Sequence, residues 1–210
     1  MIKVLKYLIS ITLLSLTLAI ITLSTIGIET NKFNQLISEK VSNKKNINIK
    51  LKTIKFKLDP KKLSLFLDTQ NPIINYRNIY IPAKNVKVYI DFWSLLKSKP
   101  KIKKSNLLLE ELDIVELNKL SKILKPSNFK SLLNNKVKKG KLISEIEIYL
   151  NDDGSLNNFI AKGEVKKLEA NLIENLNLTN ANFSFFADRS DVLIKNIFGT
   201  IKNINFSEGD

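Results

Sequence analysis

Apolar and polar residues alternate along much of the chain after residue 46, which is the pattern of β-strands with one apolar face. In residues 47–58, INIKLKTIKFKL, one apolar trio occupies odd positions and a second occupies even positions, with lysines between them. The phase changes at Thr53. This predicts a β-bulge there, because one extra residue returns both trios to the same face. The two trios are Ile47, Ile49 and Leu51, and then Ile54, Phe56 and Leu58.

Further alternation predicts more strands, joined by tight turns. Strands are expected near 63–67, 71–82 and 86–90, and a longer run of them from 143 to 206. The stretch NDDGS predicts a hairpin turn in which Gly154 takes positive φ. DFWSLLKSKP breaks the alternation and favours one helical turn near 92–97.

The N-terminus carries a long uncharged segment. Residues 7–28 contain no charged side chain, and as a helix they would be about 33 Å long, enough for a hydrocarbon core of ~30 Å. This apolar run is longer than that of a cleaved signal peptide, so we expect a retained anchor. The residues that follow, 30–43, have the spacing of a short amphipathic helix.

These patterns predict a mainly β protein with an N-terminal transmembrane helix, short accessory helices and a curved, groove-forming sheet. The expected segments are a membrane anchor at 1–28, a linker helix at 29–45, a first β segment at 46–115, a helical insert at 116–135 and a second β segment at 136–210. The chain ends just after an apolar alternation, NINF. An exposed strand edge can pair with another chain, so we expect either that the natural chain continues beyond Asp210 or that a partner covers this edge.

The charge is strongly positive but is carried almost wholly by lysine. There are 34 basic and 20 acidic residues, for a net charge of +14, and Arg77 and Arg189 are the only arginines. A protein that recognises nucleic acid usually contains more arginine, because the planar guanidinium group of arginine can form paired hydrogen bonds with phosphates and base edges. We therefore expect no nucleic-acid partner. Attraction of the lysines to anionic headgroups is the functional alternative to a merely solvated surface.

Candidate catalytic chemistry is sparse. The chain has no cysteine and no histidine, which excludes disulfides, thiol catalysis and histidine-based triads. An acidic cluster at Glu110, Glu111, Asp113 and Glu116 does not have the spacing of a calcium loop, and a solvated face explains it. The sequence therefore predicts no enzyme, no metal site and no cofactor.

Four stretches resemble the AsmA-like family: LDPKKLSLFLD and VKVYIDFWSLLKSKPKIKKSNLLLEELDI look like its N-terminal region, and DDGSLNNFIAKGEV and VLIKNIFGTIKNINFSEG look like its strand repeats. The second carries an alternating strand, a Ser-Leu-Leu turn and a further apolar strand. The residues that carry the resemblance are Val86, Val88, Ile90, Ser94, Leu95, Leu96, Ile102, Leu107 and Leu109.

This resemblance implies a bridge-like lipid transfer protein of a Gram-negative envelope. It implies a single-pass anchor in the bacterial inner membrane and a C-terminal domain in the periplasm, where an apolar groove carries phospholipid towards the outer membrane. The candidate lipid-groove residues are Ile47, Ile49, Leu51, Ile54, Phe56, Leu58, Leu63, Leu65, Leu67, Val86, Val88, Ile90, Ile146 and Ile148.

Other functions fit the same sequence. An anchored β-domain can recruit an envelope protein partner through its sheet edge, as in outer-membrane biogenesis. A basic domain lying on anionic lipid or nucleic acid on the cytoplasmic side is the remaining alternative, because the lysines near the two ends of the anchor leave its orientation open.

Overall fold

The structure, a computed structural model, is mainly β, with one long antiparallel sheet that follows an N-terminal helix. It describes residues 2–30, 34, 47–61, 64–91, 94, 101–122, 128–173 and 176–207. Within these residues every strand pairing is antiparallel. The predicted fold class is therefore confirmed.

Helix α1, Ile2–Thr25, is long and apolar enough to cross a membrane. Its threonines are compatible with a lipid environment because they donate their hydroxyls to carbonyls four residues back, for example Thr12 to Leu8 and Thr17 to Leu13, both at 2.9 Å. The rest of the described chain covers none of its apolar window. This exposure is typical of a helix surrounded by lipid and not of a core helix in a soluble domain.

Thirteen strands follow within the described residues. Their bounds are β1 Ile28–Thr30, β2 Ile47–Lys50, β3 Ile54–Asp59, β4 Ser64–Gln70, β5 Ile73–Tyr76, β6 Ile79–Ile90, β7 Ile102–Leu109, β8 Leu112–Asp113, β9 Val137–Leu150, β10 Leu156–Ile173, β11 Leu176–Ala187, β12 Val192–Ile201 and β13 Ile204–Ser207.

The sheet is a meander in which chain order and spatial order nearly coincide. Ten strands form the path β1-β3-β4-β6-β7-β9-β10-β11-β12-β13, and the sheet does not close into a barrel. Strand β5 pairs with β2 and with the first half of β6, and β8 pairs with β9. At ~4.8 Å per strand spacing, the path from β1 to β13 covers about 43 Å.

Two short helices with described bounds lie beside the sheet. Helix α2, Ile114–Ser121, begins with a capping box in which Glu116 N donates to Asp113 and the Glu116 side chain accepts from Asp113 N. Helix α3, Asn128–Lys136, leads directly into β9. The hairpin turn at 151–155 is also present, with Gly154 at φ +80°.

The predicted bulge at Thr53 is wrong. The chain bends at Lys52 and breaks into two strands: β2 pairs with β5, whereas β3 pairs with β4 and β1. A bulge keeps one strand on one partner, but here the chain changes partner. Leu51, at the break, packs against the buried cluster of Ile54, Leu67 and Ile90.

Bulges occur elsewhere, in β10, β11 and β12. The register shifts next to Lys167, Asn180 and Asn196, which have φ values of +50°, +49° and +53°. Around Lys167, Val165 and Leu168 pair with Phe183 and Ala181, which are two residues apart and therefore on one face of β11. Each bulge thus returns the next apolar set to the same face.

Some predicted elements fall only partly within the described residues. In the expected linker helix at 29–45, Glu29 and Thr30 belong to strand β1 and Asn34 is helical; the remainder lies outside the described residues. In the expected turn near 92–97, Ser94 is helical and its N–H donates to Asp91 at 3.2 Å. Leu63 also lies outside the described residues.

Candidate functional site: the apolar face of the sheet

One face of the sheet carries apolar rows that cross most of its strands. Residues directly opposite each other in antiparallel strands project from the same face, so the pairings define each row. We call this surface the apolar face. Its longest row crosses nine strands and consists of Thr30, Ile54, Thr69, Val86, Leu107, Ile146, Ala161, Ala187 and Val192.

Two neighbouring rows run in parallel with the longest one. The first is Ile28, Phe56, Leu67, Val88, Ser105, Ile148 and Phe159. The second is Leu58, Leu65, Ile90 and Ile102. Apart from a few serines and threonines, these rows are wholly apolar.

The structure brings most of the predicted groove residues together on this face. The ten residues that the rows contain are Ile54, Phe56, Leu58, Leu65, Leu67, Val86, Val88, Ile90, Ile146 and Ile148. Ile54, Leu65, Leu67 and Ile90 are buried, and the other six keep part of their surface accessible. The apolar face is therefore not a fully covered core in the described part of the chain.

Ile49 of the first trio lies on the same face, but it does so through strand β5. Ile49 pairs with Ile74, which pairs with Ile81 on β6. An extra residue in β6 between Ala83 and Asn85 changes the phase of that strand, so Ile81 shares the apolar face with Val86. Ile47 pairs with Tyr76.

Sequence reasoning missed several residues of the apolar face, above all in β10–β12. Alanines and glycines alternate there with phenylalanines along the apolar face. Because such small residues are only weakly hydrophobic, they do not stand out in the apolar alternation of the sequence. Phe185 packs across Gly163: a Cβ at Gly163 would lie 3.0 Å from the Phe185 ring and 2.1 Å from the Ile143 carbonyl oxygen. The missed residues include Leu107, Phe159, Ala161, Phe183, Phe185 and Ala187.

The opposite surface, which we call the polar face, is crossed by ion pairs. Lys57 Nζ lies 3.0 Å from Asp68 Oδ2, and Asp68 Oδ1 accepts a 2.6 Å hydrogen bond from Asn85. Lys162 Nζ lies 3.1 Å from Glu145 on the neighbouring strand. The lysines that alternate with the apolar residues in β3 thus meet carboxylates on adjacent strands, which lowers the cost of placing so many charges on one sheet.

Lys104 and Glu147 form a second well-shielded pair on this face. Their side chains are 16% and 15% exposed, and Nζ lies 2.5 Å from Oε2. The Tyr149 hydroxyl donates to the same oxygen at 2.6 Å. Burial alone would lower the pKa of Lys104 and raise that of Glu147, but the pairing outweighs it, so the Lys104 pKa is raised and the Glu147 pKa is lowered.

The acidic cluster has structural partners. Asp113 and Glu116 cap helix α2, and Glu111 pairs with Lys141 on β9. No group of three or more acidic side chains among the described residues is arranged to hold a metal ion.

The fold and this face together define a class: a β-sheet that begins at an apolar helix of membrane-spanning length, with one apolar face and one ion-paired face. Comparison of the chain with protein-family models, with curated proteins and with solved structures finds no match.

Proposed function

We propose that this protein conducts phospholipid along the apolar face of its sheet, away from the membrane that holds α1. The observation that carries the proposal is the longest apolar row. It starts at Thr30, in the strand that follows α1, and ends at Val192, in the ninth strand of the row. The row runs perpendicular to the strands, and the strand order leads away from α1.

The energetics suit a passive path. Each methylene of an acyl chain that lies against apolar side chains instead of water is stabilised by ~0.8 kcal/mol. A continuous apolar row offers this contact at every strand, so a lipid moves between similar sites without a deep trap. The ion-paired polar face keeps the other side of the sheet in water. The resemblance to the AsmA-like family supports the same function.

That resemblance also supports the location. We place α1 in the bacterial inner membrane and the sheet in the periplasm, with the outer membrane as the destination. A C-terminal alkaline phosphatase fusion tests the orientation, since the enzyme is active only after export. An inactive fusion that is expressed at normal levels would place the sheet in the cytoplasm and contradict the proposal.

Site-specific photo-crosslinking tests the path itself. A photoreactive amino acid at Phe56, Val88 or Ile146 on the apolar face should capture phospholipid in cells, detected by mass spectrometry of the purified adduct. The matched control position is Lys87, which is adjacent in sequence to Val88 but lies on the polar face. Equal labelling on both faces would refute a one-sided path.

A second candidate function rests on the far edge of the sheet. Strand β13 pairs with β12 alone among the described strands, and Ile204 on it is 71% exposed. Next to it, β11 and β12 expose apolar side chains on both faces, including Phe186, Leu193 and Ile194. A partner that adds a strand to this edge extends the sheet, and its other elements can then pack on these side chains, as expected of an envelope assembly protein. Crosslinks from β13 to another envelope protein, without lipid on the apolar face, would favour this function.

A further inference from the structure

The junction between α1 and the sheet is short and closely packed. Helix α1 ends at Thr25 and β1 begins at Ile28, so only two residues connect them. The backbone N–H groups of Ile26 and Gly27 both donate to the Thr22 carbonyl, at 3.0 and 2.9 Å. The end of the helix is thereby capped and directed straight into the first strand.

Gly27 fits this corner because it has no side chain. Its φ is +77°, and a Cβ at this position would lie 2.7 Å from Lys57 Cγ and 2.9 Å from the Phe56 carbonyl oxygen. The corner therefore lies directly against β3. A sheet attached in this way has a defined position relative to the helix, unlike a domain on a flexible tether.

Two isoleucines on either side of Gly27 are left uncovered by the described residues. Ile26 is 65% exposed and Ile28 is 55% exposed. Ile28 pairs with Phe56, so it is the first residue of an apolar row. Because both lie within three residues of the end of a helix of membrane-spanning length, the bilayer is the apolar surface within their reach.

Glu29 limits how deeply strand β1 can enter the bilayer. It lies between Ile28 and Thr30 and pairs with Lys55 at 3.4 Å, with its side chain 67% exposed. A charged pair is costly in the hydrocarbon core but not at headgroup level. The strand can therefore rest at the interface, with its isoleucines towards the acyl chains and Glu29 towards water.

We propose that the Gly27 corner docks the β1 edge onto the bilayer interface, so that Ile26 and Ile28 contact lipid and the apolar face opens directly from the membrane leaflet. The partner of this surface is the lipid interface around α1. The inference requires α1 to span the membrane, and it deepens the proposed function by assigning the place where lipid enters.

Tryptophan fluorescence in nanodiscs tests the docking. The chain has a single tryptophan, Trp93, so a Trp93→Phe background carries either Ile28→Trp or the control Ile194→Trp, which lies at the far end of the apolar face. The lipid probe is phosphatidylcholine brominated near the ester end of its chains. Trp at 28 should be quenched roughly twofold more than Trp at 194, since an interfacial side chain lies ~5–10 Å into the headgroup and acyl boundary.

The corner itself is tested with a second variant. Inserting four residues, Gly-Ser-Gly-Ser, between Gly27 and Ile28 keeps the anchor and the sheet but releases the corner, so quenching of Trp at 28 should fall towards that of Trp at 194. Circular dichroism confirms that the sheet remains. Equal quenching at the two positions before the insertion, or no change after it, would overturn the proposal. Neither result depends on lipid crosslinking at Phe56 and Val88. The docking of the corner and the proposed lipid conduction are therefore tested independently.

Discussion

Lys104 on β7 and Glu147 on β9 form an ion pair across adjacent strands, with 2.5 Å between Nζ and Oε2, on the polar face of the sheet. The Lys104 ammonium also lies 5.0 Å from the centre of the Tyr149 ring and 5.7 Å from that of Tyr89. This network joins the β7 and β9 strands on the face opposite the apolar rows. It therefore favours exposure of this face to water and leaves the opposite face for apolar contacts.

Replacing Glu147 with Gln should destabilise the protein. The change keeps the shape of the side chain but leaves the shielded Lys104 ammonium without its counter-charge, which costs about 1–3 kcal/mol. The matched control is Glu164→Gln. That side chain pairs with Lys166 in an exposed bridge, which is worth only ~0–1 kcal/mol. Urea unfolding of the full chain in detergent measures both, and equal midpoints for the two variants would contradict the importance of the shielded pair.

The same pair predicts a dependence of stability on pH at both extremes. The Glu147 pKa is lowered on folding, so its contribution is present above the unfolded value of ~4.3 and is lost as the pH falls through the folded pKa. The Lys104 pKa is raised, so its contribution is present below ~10.4 and is lost as the pH rises through the folded pKa.

Urea midpoints of the wild type and Glu147→Gln, compared across this pH range, isolate the pair from other titrating groups. The stability difference between the two proteins should be constant near neutral pH and should shrink as the pH falls below the unfolded value of ~4.3, where Glu147 begins to be protonated in the unfolded chain. A difference that stays constant down to the acid limit would show that Glu147 does not titrate as a member of this pair.

A charge on the apolar face should block lipid binding. Phe56→Glu places a carboxylate in the row between Ile28 and Leu67, where an acyl chain would have to displace its water. Phospholipid that co-purifies in mild detergent, measured by mass spectrometry, should fall several-fold. Lys87→Ser, on the polar face beside Val88, should leave the lipid content unchanged. Circular dichroism separates lost binding from lost fold, and a folded Phe56→Glu protein with full lipid content would count against the apolar path.

The β10 bulge should accept glycine. Lys167 has φ +50°, a conformation that costs a residue with a Cβ ~1 kcal/mol relative to glycine, and its N–H is held by Asn182 at 3.0 Å. Lys167→Gly should therefore be neutral or stabilising. Lys166→Gly, at an ordinary strand position, should destabilise by about 0.5–1 kcal/mol. Thermal unfolding of the two variants compares them directly, and a greater loss at 167 than at 166 would contradict the bulge.

The sequence by itself determined the strands and which of their side chains are apolar. Alternation in residues such as Phe56, Leu67 and Val88 is a local property: successive side chains of a strand point to opposite faces whatever the strand pairs with. The uncharged run of α1 is equally local, since length and composition define a helix that can cross a bilayer. Both could be predicted from the sequence.

Tertiary structure decided how the strands share their faces. The phase change after Leu51 fits a bulge as well as a break, and the choice depends on partners distant in sequence: Tyr76 for β2 and Leu67 for β3. The bulges at Lys167, Asn180 and Asn196 likewise depend on the register of the neighbouring strand, which sequence periodicity does not encode. Only the pairing of distant strands turns separate apolar alternations into rows that begin beside α1, because a row exists only where the registers of all its strands agree.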